Sequence, residues 1–246
     1  MNMERSRGRA SAAFVEPGAP GKQEILARSS LAGLPEDTRA GLLGIASAEL
    51  LPRAHTISVQ GEPTSHVVVI GAGRVKIERL RGTRAVLLGH RGPGHFVGET
   101  ALSGVATASE SATVVDDVAA LAIPLAPLRQ QLAADPTLSA AFAEMIVRQH
   151  RELEARLMGL LMNGVEARLA GFVLDAAGRW GRPHADGELV TAAFTHAEMA
   201  LLIGSTRETV TLVLGKLKRE GLLGFDRRRV VIRDRARLEQ RVKAAP

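Results

Sequence analysis

The apolar rhythm of the chain changes once, at Asp135-Pro136, and that break constrains the fold more than any other feature. Ahead of it, from Leu31 to about Leu132, run short β-branched or apolar stretches: "HTISVQGEP", "HVVVIGAGRVKIERL", "RAVLLGHRGPGHFVGE" and "ESATVVDDVAALAIP". Gly, Pro and Asp turns separate them at regular intervals, the pattern of consecutive strands. Even spacing of this kind predicts an all-β barrel or jelly-roll-like module. Leading into it, "LAGLPEDTRAGLLGIASAELL" has helical periodicity, with Pro35, Glu36 and Asp37 suited to a helix start.

Past the break, no Pro occurs from Thr137 to Met162, and Phe142, Ile146, Gln149, Leu153, Leu157 and Leu160 recur every three or four residues. They form one stripe on a helix about 35 to 40 Å long, at 1.5 Å per residue. One small barrel does not cover that length. A second copy of the same helix would, so this stripe is the expected dimer interface; packing wholly within the chain is the competing reading.

After Asn163-Gly164 a second helix, "VEARLAGFVLDAAGRWG", ends at a Gly, and "RPHADGE" is turn-rich. Thr195 and Glu198 then have capping-box spacing, so a helix starts at His196. Gly204-Ser205 breaks it, and Ser205 or Thr206 can cap the next helix. Helix, Gly-containing turn and second helix make a helix-turn-helix. "LLGFDRRRVVIRD" follows as two short strands around Phe225-Asp226, a candidate wing.

In such a motif the second helix enters the DNA major groove N-terminus first, where Arg pairs with guanine acceptors and a carboxylate accepts from cytosine. Arg207 and Glu208 stand at that start, and Thr211, one turn on, can meet a thymine methyl or a phosphate. Val210, Val213, Leu214 and Leu217 form the buried face. Ser205, Thr206, Lys216, Lys218, Arg219, Arg227, Arg228 and Arg229 are the expected phosphate contacts, which give affinity without sequence information. A merely salt-bridged surface helix would account for the charges but not for cap, turn and wing together.

Composition agrees. The 246 residues suggest about two domains, and a formal charge of +6 favours an anionic partner. Cysteine is absent, which excludes disulfides, iron–sulfur clusters and thiolate zinc. No apolar run reaches the ~18 residues of a membrane span, so a soluble, cytoplasmic chain with no membrane partner is expected. Residues 1–24 mix Arg, Ser, Gly and Pro without periodicity and read as a flexible arm. The remaining divisions are a sensory domain at 25–134, a dimerisation helix at 135–163 and a DNA-binding domain at 164–246.

From Leu31 to Asp234 the chain resembles the Crp/Fnr family of bacterial transcription regulators. "IGSTRETVTLVLGKLKREGLL" looks like the family's recognition region, in which residues at the positions of Arg207 and Glu208 read bases. "GPGHFVGETALSG" is similar to the phosphate-cradle segment of the family's cyclic-nucleotide-binding β-roll. The resemblance implies an α+β protein: a jelly-roll-like β-roll, a long dimerisation helix and a winged helix-turn-helix. It also implies a homodimer on double-stranded DNA with a palindromic operator, and RNA polymerase as a further partner.

The cradle departs from the family pattern. In relatives that bind cyclic AMP, a Gly-Glu pair precedes an Arg-Ser or Arg-Thr pair by about ten residues, the Glu holding the ribose and the Arg the cyclic phosphate. Gly98 and Glu99 match the first pair, but the second reads Glu110-Ser111, in a segment one residue longer. A carboxylate there repels the phosphate. Two unit charges 4 Å apart interact by about 4 kcal/mol at an effective dielectric near 20, enough to remove a factor of about a thousand in affinity. Leu153 and Glu154 stand where such relatives place Thr and Ser against the base. Control by cyclic AMP is therefore not expected; backbone N–H groups of the Gly-rich segment leave room for another effector, such as a different nucleotide or a small anion. Leu212 also departs, standing where relatives carry a second base-reading Arg.

His55, His66, His90, His95 and His150 lack metal-ligand spacing, so no metal site is expected, although a haem-sensing relative would need only one such ligand. Glu99 with Asp116 or Asp117 comes without the donors or nucleophile of a hydrolase, so no catalytic residue is assigned. The rival to a DNA-binding regulator is an effector-responsive regulatory subunit that binds a protein through its basic C-terminal face.

Overall fold

The computed structural model describes residues 20–105 and 107–243. Residues 1–19, most of the expected arm, lie outside them. The arm's expected end is corrected: Lys22–Ala27 form helix α1, whose Ile25 and Leu26 are buried. Helix α2, Glu36–Ile45, starts at the foreseen acidic turn. The segment after it is not helical, because Ser47–Leu51 pair as strand β1 with Val118–Ala122 of a long interior strand of the sheet.

Five further strands complete an antiparallel sheet: β2 (Thr56–Ser58), β3 (His66–Arg81), β4 (Arg84–Arg91), β5 (Phe96–Val97) and β6 (Ser111–Pro124). The order is β1-β6-β3-β4, with β2 on β6 and β5 on β3. Strands β3 and β6 run together from His66↔Pro124 to Glu78↔Ser111, with register shifts around Ile70–Val75. Gly73 sits at that irregularity with φ 90°, and a Cβ there would collide with the Asp117 carbonyl. Only glycine lets the two long strands approach while the bulge turns its carbonyl outward.

Helix α3 (Leu125–Ala134) leads into α4 (Pro136–Met162), whose N-cap Asp135 accepts from the N–H groups of Thr137 and Leu138. Pro136 at the first helical position costs nothing, since that N–H has no helical partner. The first turns of α4 bury Leu138, Phe142 and Met145 against α1, α2 and β3. Beyond Met145 no side chain of the helix is fully buried: Leu153 is 61% exposed, Leu157 54% and Leu161 69%.

Helix α5 (Val165–Trp180) opens the C-terminal unit, and Gly181–His184 (β7) with Gly187–Val190 (β8) turn the expected loop into a hairpin. Helices α6 (His196–Ile203) and α7 (Arg207–Arg219), strands β9 (Leu223–Asp226) and β10 (Arg229–Ile232) and helix α8 (Arg235–Lys243) follow. The second sheet has the order β7-β8-β10-β9. The wing turn lies at Arg227-Arg228 rather than at Phe225-Asp226, which pair within the ladder as Val230↔Phe225 and Arg229↔Asp226. Arg227 adopts φ 55° at the tip.

The two units meet along a polar and aromatic seam. Trp180 donates its indole N–H to the Gly73 carbonyl at 3.1 Å, and Arg179 donates to the His90 carbonyl and to Glu152. Phe194 takes the edges of His90, Phe172 and Trp180 within about 6 Å, and the Arg74 guanidinium stacks 4.4 Å from its centre. The Gly73 bulge therefore supplies the acceptor that seats the single Trp.

Candidate nucleic-acid interface and effector cradle

Helix α6 begins with the full capping box: Thr195 Oγ1 accepts from the Glu198 N–H at 3.1 Å, and Glu198 Oε2 accepts from the Thr195 N–H at 2.8 Å. It ends at Gly204 in the left-handed region, φ 61°, from which the chain reverses. Thr206, not Ser205, caps α7, its Oγ1 accepting from the Thr209 N–H at 3.2 Å. Arg168 of α5 holds the turn from outside, donating to the carbonyls of Ile203, Gly204 and Asn163. Periodicity alone does not single out this arginine, which lies between buried Ala167 and Leu169.

The inner face of α7 buries Val210, Leu214 and Leu217, with Val213 packed beside them. Outside lie Thr206, Arg207, Glu208, Thr211, Leu212, Lys218 and Arg219, all exposed, with Ser205 partly so. Wing residues Arg227, Arg228 and Arg229 are exposed as well. Lys216 behaves otherwise: its ammonium bonds Glu166 of α5 at 2.5 Å and faces Glu220, in a network that Arg241 completes. Its charge is turned inward, away from the face that carries Arg207. The Thr211 hydroxyl is also engaged, donating to the Arg207 carbonyl at 2.9 Å and lying 2.8 Å from His196 Nδ1.

In the β-roll, Gly98 has φ 95°, and a Cβ there would meet the His66 carbonyl at 2.6 Å, so the turn into Glu99 requires glycine. Glu99 opens a 3-10 turn, Glu99–Ser103. Its carboxylate is bound by both Nη atoms of Arg91 at 2.7 and 2.8 Å, and Arg91 Nη2 also reaches Glu110 at 2.6 Å. All three side chains are largely buried. Burial pushes the Glu110 carboxyl up, against the lowering pull of Arg91, and Glu99 adds to the rise. Arg91 is not among the cradle residues expected from sequence. It stands eight positions before Glu99 in "HRGPGHFVGE", and the only sign of its role is a basic residue ending a strand beside two acids.

Ser111 accepts from the Gln60 N–H at 3.0 Å. Gln149 accepts from the Phe96 N–H, so it and buried Phe142 face their own sheet and not the exposed stripe. Ile146, Leu153, Leu157 and Leu160 stay outside. Leu153 also lines a cavity of about 540 Å³ between sheet, α4 and the C-terminal unit, whereas Glu154 is exposed. Arg91, Glu110, His95 and Glu152 line the same cavity. Burial works to raise the Glu152 carboxyl, but the hydrogen bond from His95 and the charge of Arg179 outweigh it and hold it low. No group of three metal-ligating side chains occurs among the described residues. No helix there is long and apolar enough to cross a membrane.

Comparison with known proteins adds the following. Residues 49–135 match the model of the cyclic nucleotide-binding domain, and residues 167–241 that of the Crp-like helix-turn-helix domain. The chain is 31% identical over 222 residues to the CRP-like cAMP-activated global transcriptional regulator of Mycobacterium tuberculosis, covering 89% of this chain and 99% of that one. It is 30% identical over 194 residues to the transcriptional regulator LdrP of Thermus thermophilus, covering 78% and 95%. Among solved structures, a CRP-family transcriptional regulator, also of Thermus thermophilus, superposes with a TM-score of 0.67 at 29% identity, over 80% of this chain and 97% of that one.

Proposed function

The chain belongs to the Crp/Fnr family of transcription regulators, DNA-binding proteins and not enzymes, and on that premise we propose that it acts in the cytoplasm as a homodimer on a two-fold symmetric operator, without cyclic-AMP control. The exposed Arg207 and Glu208 on the first turn of α7 support the DNA contact most directly. A helix entering the major groove presents that turn to the base edges, where Arg pairs with guanine O6 and N7 and the carboxylate accepts from cytosine N4. Thr206, Lys218, Arg219 and the wing arginines then contact phosphates on either side. Lys216 is left out of that set.

Dimerisation rests on the uncovered part of α4: Ile146, Leu153, Leu157 and Leu160 make an apolar strip that a second copy buries best by lying alongside. Two recognition helices related by the dimer axis then reach successive major grooves about 34 Å apart. RNA polymerase would meet the dimer on the promoter, on faces turned away from the duplex.

For the effector, the Arg91–Glu99–Glu110 cluster carries the reading. The Mycobacterium tuberculosis relative is described as cAMP-activated. Here the guanidinium that holds the cradle carboxylates is already paired with both of them. A cyclic phosphate would have to displace two carboxylates from Arg91 and leave Glu110 facing its own charge. Breaking such a buried pair is costly because the partner is left uncompensated. DNA binding is then effector-free, or responsive to a different ligand that leaves this cluster intact.

Two measurements test the proposal. Selection from random duplex without effector should return one palindrome, bound orders of magnitude above random DNA and with steep salt dependence. A chain with no sequence preference would favour a protein-binding regulatory subunit instead. Calorimetric titration with cyclic AMP and cyclic GMP should show no micromolar binding; such binding would overturn the assignment of Glu110.

A further inference from the structure

We infer that Leu212, with the γ-methyl of Thr211, reads the C5-methyl groups of thymine beside the base pair held by Arg207 and Glu208. This rests on the DNA-binding reading above and adds what that reading leaves open, the chemistry recognised on the second turn of α7.

Leu212 is 72% exposed, the most exposed of the large apolar side chains among the described residues. Residues four apart share a helix face, so Leu212 continues the line of Glu208, and Thr211 that of Arg207. A groove-facing surface normally carries side chains that pair with base edges; an isobutyl group has only dispersion and desolvation to offer. In the major groove one group accepts that offer, the thymine methyl.

Thr211 has been narrowed to the same chemistry. Its single hydroxyl proton goes to the Arg207 carbonyl, and the His196 ring lies at hydrogen-bond distance from the oxygen, in position to donate. Both contacts hold Oγ1 against the protein and leave the methyl for a ligand. The recognition helix thus presents charge on its first turn and two apolar groups on its second.

The test uses the selected operator with each thymine replaced in turn by deoxyuridine, which lacks only the C5-methyl. For the unaltered chain, one or two adjacent positions in each half-site should bind about fourfold more weakly, the factor one buried methyl group commands. Leu212→Ala should bind the thymine and uracil duplexes alike at one of those positions. Thr211→Ser, which keeps the hydroxyl bonds, should do so at the other or at the same one. Leu212→Arg should move the preference there from thymine to guanine. Uracil substitution without effect at every position overturns the proposal, as does sensitivity that survives in both variants. Absence of any sequence preference in the unaltered chain instead overturns the DNA-binding reading on which it stands.

Discussion

In the proposed complex Arg207 and the wing arginines carry the same charge but have different roles, and mutation separates them. Arg207→Ala removes a bidentate base contact, so it should cost about 1 to 3 kcal/mol and relax preference at one position per half-site. Arg228→Ala removes a phosphate contact and should weaken all sequences alike, with a shallower salt slope. Anisotropy titrations on a panel of single-base operator variants distinguish the two patterns; equal loss across the panel for both would refute the assigned roles. A different residue, His90, contributes a distinct part of the response to acid. Burial, then the charge of Arg74, lowers the His90 pKa from 6.5 to about 4, while Glu198 at 3.9 Å partly offsets them. The unfolded chain therefore takes up a proton below pH 6.5 that the folded chain refuses until about pH 4. Stability is full above pH 6.5 and falls through that interval, by about 3 kcal/mol at most for this group. Urea midpoints at about pH 7.5 and pH 5 should differ less in His90→Leu than in the unaltered chain.

At the scale of elements, local caps fix where the DNA-reading helix begins. Thr206→Ala should cost about 1 kcal/mol in the C-terminal unit by removing the bond to the Thr209 N–H, measurable as a lowered thermal midpoint. That cap, the Thr195–Glu198 box and the Gly204 turn are legible in sequence because each is a matter of a few neighbouring residues. The wing strands are legible too, but their turn is displaced from its expected place, since a triple-Arg run gives no sign of which residue accepts positive φ. Segment 47–51 has the local pattern of a helix because "SAELL" suits either state, and only its pairing with Val118–Ala122 decides. Lys216 carries a signal that the charge pattern hides: nine residues after Arg207 is about two and a half helical turns, which brings it out on the opposite side. Phe142 and Gln149 fit the α4 stripe in angle, yet what covers a stripe changes along a helix longer than the domain beneath it. Periodicity reports the face and is silent on who occupies it. Arg91 is invisible for a related reason, its partners lying eight and nineteen residues away.

For the whole molecule, the proposed dimer rests on the uncovered end of α4. Leu157→Glu places a charge in the strip without disturbing the chain's own cores, and should yield a monomer in sedimentation with operator affinity reduced by about tenfold or more. A folded Leu157→Glu chain that remains dimeric would refute that interface. The seam between the units lies beyond sequence reading, because it joins Gly73 to Trp180 and His90 to Phe194, pairs about a hundred residues apart. The lone indole lies so close to Gly92 that a Cβ there would stand 2.6 Å from its ring. Any swing of the C-terminal unit away from the roll must part this ring from Gly73 and Gly92 and admit water to the edge they cover. The chain therefore carries a native fluorophore on the seam between its units, whose emission colour would track posture without any label.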